Sequence, residues 1–90
     1  MYGKREAARR RLWEEEARVQ EVRIMGKWTR KVNLLHEEMY AGPVEVDWQP
    51  RGFVKVRAQA PFLESPAFQK LEEELDHTLH AMWMDLDRHF

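Results

Sequence analysis

Histidines and carboxylates are the side chains in this sequence with the clearest capacity for chemistry. His77, His80 and His89 stand close together near its end. Asp76 and His80 are spaced i,i+4, and His77 and His80 i,i+3, so on a helix two of these side chains share a face and could hold a metal ion. Two ligands do not make a site. No HExxH pattern is present, and a third donor would have to come from His36 or from a second chain. We therefore read these histidines as solvated, and expect neither a metal nor a cofactor. The runs Glu14-Glu15-Glu16 and Glu72-Glu73-Glu74 are rich in carboxylates, but consecutive helix positions point in different directions and pair no acid with a base. Ser65 is the single serine, and there is no cysteine and no glycine-rich phosphate loop. A protein that is not an enzyme is expected.

Two other sets of residues bear on binding. Arg5, Arg9, Arg23, Lys27 and Arg30 fall in one sector of a helix, flanked by Arg10, Arg11 and Lys31. Such a stripe could track the phosphates of DNA or RNA, although every amphipathic helix also needs a polar face. The second set is Tyr40, Phe53, Trp83 and Met84, each lying off the main apolar pattern of its segment. Aromatic residues and methionine are enriched where proteins meet, so these four are the candidate contacts for a protein partner.

The elements that must position these residues follow from periodicity and turn chemistry. In Val44-Glu45-Val46-Asp47-Trp48 apolar residues alternate with acids, and in Val54-Lys55-Val56-Arg57-Ala58 they alternate with bases. Pro50-Arg51-Gly52 between them predicts a three-residue hairpin loop, a type I turn with proline presetting φ at its second position, closed by a G1-type bulge with Gly52 in the left-handed position. Folding there opposes Val44 to Ala58, Val46 to Val56 and Trp48 to Val54. It also sets Asp47 against Lys55 and Glu45 against Arg57.

Residues 4–41 read as one helix whose stripe is Trp13, Ala17, Ile24, Trp28, Val32, Leu35 and Met39, with Met25 at its edge. Gly26 is a possible kink, and Val19–Met25 has a competing strand-like composition; Gly42-Pro43 ends the helix. Pro61–Glu64 reads as a short connection. Ser65 caps a second helix over 65–90, with Pro66 at its first position and the stripe Phe68, Leu71, Leu75, Leu79, Met82 and Leu86. The hairpin spans 44–60, so the expected fold is α+β, in the order helix, hairpin, helix, as a single domain over 1–90.

Composition sets the outer bounds. The chain has 90 residues, 43% hydrophobic and 34% charged, which suits a small soluble domain. Its net charge of −1 conceals an asymmetry. Residues 1–31 carry ten Lys/Arg and five Glu (+5), and residues 32–90 carry five Lys/Arg and eleven acids (−6). No run is apolar enough for a membrane span, no secretory signal is evident, and a cysteine-free chain suits the cytoplasm. Two strands make a marginal sheet, and the first helix offers a longer stripe than one hairpin can cover, so a homodimer is expected.

The order helix, hairpin, helix, with Gly52-Phe53-Val54-Lys55-Val56 leading to an acidic last helix, resembles the YbaB-type nucleoid-associated proteins. The likeness covers Gly42–Phe90 in topology, with one strand fewer, and implies a dimeric DNA binder. The expected function is a protein-interaction module, an adaptor or inhibitor acting through helix faces as a homodimer. The alternative is a DNA- or RNA-binding regulator using the basic face of the first helix.

Overall fold

The first proline is Pro43, and ahead of it a computed structural model of the protein shows one uninterrupted helix, α1, over Tyr2–Met39. The structure describes residues 2–89, with side chains from Arg5 to His89. Four further elements follow: strands β1 (Glu45–Trp48) and β2 (Val54–Arg57), a single helical turn α2 (Ala60–Leu63), and helix α3 (Pro66–His89). The fold is α+β in the expected order, with three adjustments. The first helix runs over Tyr2–Met39, not 4–41. The strands are shorter than 44–60. Gln59, Ala60 and Pro61 start a helical turn where a strand end and a plain connection were expected. Phe90, assigned to the second helix from sequence, lies outside the described residues.

α1 passes through Gly26 without a break, so the strand alternative over Val19–Met25 is not realised. A Cβ at Gly26 would meet nothing within 4 Å. Beyond Met39 the chain reverses at Gly42, whose φ of +87° is open to glycine at little cost. Two side chains of α1 hold that reversal. His36 Nδ1 lies 2.8 Å from the Gly42 carbonyl oxygen; since that oxygen can only accept, the ring nitrogen carries the proton. Asn33 Oδ1 accepts from the Val44 N–H at 2.9 Å, while its amide nitrogen donates to the Thr29 carbonyl at 3.0 Å.

The hairpin register is the expected one: Glu45 opposite Arg57, Val46 opposite Val56, Asp47 opposite Lys55 and Trp48 opposite Val54. Its turn differs. Arg51, not Gly52, has positive φ, at +59°. With the Gly52 N–H donating to the Gln49 carbonyl at 2.9 Å, this is a type II turn with Pro50 second and Arg51 third. The charges differ as well. Instead of pairing with Glu45 directly across the ladder, Arg57 reaches diagonally to Asp47 at 2.8 Å.

α3 begins as its sequence implies. Ser65 Oγ accepts from the Phe68 N–H at 3.3 Å and donates to the Phe62 carbonyl at 2.6 Å. It then runs antiparallel to α1: Trp28 Nε1 donates to the Leu71 carbonyl at 2.6 Å, Lys31 meets Glu74 at 2.7 Å, and Trp13 donates to Asp87 at 3.1 Å. At 1.5 Å per residue the 38 residues of α1 account for about 57 Å, which matches the molecule's long dimension of 57 Å. α3 spans only about 36 Å on the same measure, so the turns of α1 before Trp13, with Arg5 and Arg9, continue past its end.

The main core joins Met25, Trp28 and Val32 of α1 to Phe62, Phe68 and Leu75, with the apolar face of the hairpin packed on top. A smaller cluster of Ala17, Met82 and Leu86 lies further along the helix pair. The α3 stripe is buried or half-buried as expected. The α1 stripe is rotated: Met25, expected at its edge, is 2% exposed, whereas Met39 is 43% exposed. Glu21 and His36 also face inward. The hairpin lies on that flank of α1, so the buried face turns toward the hairpin as well as toward α3.

Candidate functional site

One face of the antiparallel helix pair is covered by the hairpin. The other is not. There, Leu34 and Leu35 of α1 and Ala67 and Leu71 of α3 line an open channel of about 630 Å³. Leu34 is 56% exposed. Charges border this apolar strip, with Lys31 and Glu38 on α1 and Lys70, Glu73 and Glu74 on α3. The Lys31–Glu74 bridge crosses between the helices, and both side chains are about half exposed. Such a bridge stabilises by at most about 1 kcal/mol. The channel was not legible in the sequence, because Leu34 lies outside the apolar stripe of its own helix and shares a channel with Leu71 only once α3 has docked.

Of the four candidate partner contacts, two are engaged inside the molecule. Tyr40 is half-buried, its ring 5.4 Å from His36 and 6.3 Å from Phe62. Trp83 is half-buried and lies 5.2 Å from Trp13, with the planes at 30°. Phe53 and Met84 are exposed, at 58% and 47%. The four do not form one surface: Tyr40 and Trp83 sit at opposite ends of the helix pair.

The Trp83 contact explains the unexpected turn. In the left-handed region Arg51 carries its guanidinium over Trp13, 4.2 Å from the ring centroid, and 5.1 Å from that of Trp83. Its backbone N–H donates to the buried Glu21 carboxylate at 3.3 Å. A left-handed non-glycine residue costs roughly 1–2 kcal/mol. A cation–π contact of about 0.5–1 kcal/mol per ring for an exposed cation such as Arg51, together with a hydrogen bond to a carboxylate, offsets that. Sequence alone gave no sign of this, since Arg51 is 38 positions from Trp13 along the chain.

The basic set Arg5, Arg9, Arg23, Lys27 and Arg30 is exposed throughout. Among the described residues, the ion pairs are made by other cations, Lys31 and Arg57. Arg9 and Arg10 border an open hollow with Trp13 and Arg51, where Glu6, Glu14 and Asp87 stand as well, so the charge there is mixed. His77 and His80 are exposed, and His89 lies 3.7 Å from Asp85. Among the described residues no three His, Asp or Glu side chains are grouped to hold a metal ion. No described helix is long and apolar enough to cross a membrane.

These features define a class by shape, an αββα domain with a helix pair open on one face. Compared with known proteins, the chain matches no family model, no curated protein and no solved structure. Its likeness in element order to the nucleoid-associated proteins therefore stands without a matching sequence or structure.

Proposed function

We propose that the chain is a small, non-enzymatic protein-interaction module, an adaptor or inhibitor that works as a homodimer through its helix faces. The channel lined by Leu34, Leu35, Ala67 and Leu71 carries this reading. Contiguous exposed apolar surface rimmed by polar groups marks places where proteins meet. A second copy suits it on two counts. Two helix pairs laid face to face make a four-helix core with the hairpins outside. Lys31 and Lys70 share the rim with Glu38, Glu73 and Glu74, so a two-fold axis can set opposite charges against each other. A cytoplasmic setting belongs to the same proposal and is supported by the cysteine-free composition.

Sedimentation at micromolar concentration tests it. The wild-type chain is expected to give twice the chain mass. Leu34→Glu is expected to give the chain mass with an unchanged circular dichroism spectrum, because Leu34 is already half exposed. A monomeric wild type, or a Leu34→Glu protein that stays dimeric, rules out this face as the interface.

One observation favours a second reading, nucleic-acid binding. Five cations on the outer face of α1 lack carboxylate partners among the described residues. If they hold phosphates, affinity for duplex DNA falls steeply with salt. Each contact removed then lowers the slope of log K against log salt by about 0.9. Changing Arg5, Arg9, Arg23 and Lys27 together to Gln should abolish such binding and leave the melting temperature in place. Our first reading expects no salt-dependent retention of DNA or RNA even at low ionic strength. Retention that the quadruple change removes would establish the second.

A further inference from the structure

The hydrogen bonds that fasten the hairpin come from one side. Asn33 holds the Val44 N–H and Glu21 holds the Arg51 N–H, and both belong to α1. Toward α3 the sheet stands off, leaving a groove of about 500 Å³ between β2 and that helix. Trp28, Phe68, Leu75 and Leu79 line it, with Glu72 and Asp76 on the α3 wall.

The ladder determines which backbone groups face this groove. The Gln49 N–H donates to the Phe53 carbonyl at 3.3 Å, so those two residues form a hydrogen-bonded pair. Hydrogen-bonded and non-hydrogen-bonded pairs alternate along an antiparallel ladder. Trp48/Val54 and Val46/Val56 are therefore non-hydrogen-bonded pairs. The N–H and C=O groups of Val54 and Val56 point away from β1, beside an apolar groove, and among the described residues no group bonds to them.

We infer that this edge binds an extended segment of a partner protein, which adds a third strand beside β2 and over α3. Charge selects the occupant. Lys55 and Arg57 stand on the outer face of β2. Two β2 edges paired about a two-fold axis would set Lys and Arg of one copy opposite those of the other, which is destabilising. The β2 edge thus rejects its own copy. It accepts a strand with acids on its outer face and β-branched apolar residues inward, into the groove. β1 has this alternation, in Val44-Glu45-Val46-Asp47, and already pairs with β2 on the opposite side. The groove is separate from the helix channel, so the outcome here does not depend on where dimerisation occurs.

Amide exchange followed by NMR tests the inference on the full chain, with two labelled seven-residue peptides as probes. One alternates valine with glutamate, the other valine with lysine. The acidic peptide is expected to bind at least ten-fold more tightly and to slow exchange at Val54 and Val56. The Asp47 and Lys55 amides, already in the ladder, should be protected with or without it. Lys55→Glu, an exposed change, should reverse the peptide preference while leaving the ladder protection intact. Equal affinity for both peptides, or bound peptide without new protection at Val54 and Val56, would overturn the proposal. So would protection of those two amides that rises with protein concentration in the absence of peptide, since a second copy would then be the occupant.

Discussion

Trp28→Asp is expected to abolish the cooperative unfolding transition. Trp28 is 5% exposed, its ring centroid lies 6.3 Å from that of Phe68, and its indole N–H donates to the Leu71 carbonyl at 2.6 Å. It thus sits where α1, α3 and the hairpin meet. Removing a buried tryptophan side chain costs about 3–5 kcal/mol. Leaving a carboxylate unpaired in its place adds several more, by the desolvation of a buried ion. A chain of this length has a total stability of about 5–13 kcal/mol, so the change consumes most or all of it. Thermal melts by circular dichroism should show a sloping, non-cooperative loss of helix. Trp28→Phe separates the two contributions. It retains most of the buried area, loses the donor, and should cost about 1–2 kcal/mol. A cooperative melt within a few degrees of wild type for Trp28→Asp would mean that the two helices do not pack as described.

The second large effect is expected at Phe62. Its ring is 0% exposed and stands edge-on to His36 at 4.9 Å, with Phe68 at 5.1 Å and Tyr40 at 6.3 Å. Through it the single turn α2 links the end of α1 to the start of α3. Phe62→Ala should cost about 3–5 kcal/mol. At a denaturant dependence of about 1–3 kcal/mol per molar urea, the unfolding midpoint should fall by about 2 M. Phe53→Ala is the control. Phe53 is 58% exposed on the hairpin, and surface substitutions usually stay within about 0.5 kcal/mol. Similar midpoint shifts for the two variants would contradict the assignment of Phe62 to the core.

Of these two phenylalanines, only the exposed one is legible in the sequence. Phe53 follows the hairpin loop, and its exposure follows from strand alternation. Phe62 lies in Pro61-Phe62-Leu63-Glu64, which reads as a plain connection, and only its place beneath the end of α1 makes it central. The same contrast applies to the candidate contacts. Exposure of Phe53 and Met84 could be anticipated from their offset to the local patterns. Tyr40 and Trp83 have a similar offset, yet they pack against Phe62 and Trp13 from other segments.

The features determined by the sequence alone rest on neighbours a few residues apart. The continuous first helix, the hairpin register, the Ser65 cap and the α3 stripe each depend on local propensity, turn geometry or a short period. Tertiary structure decided the remainder. It rotated the buried face of α1 toward Glu21, Met25 and His36, because the hairpin docks on that flank. It placed the positive φ at Arg51, because Trp13, Trp83 and Glu21 converge there. It drew Arg57 diagonally to Asp47. It left one channel between α1 and α3 and one groove beside β2. Each of these depends on where one packed element ends relative to another, and that follows from how whole faces pack together rather than from any short stretch of chain.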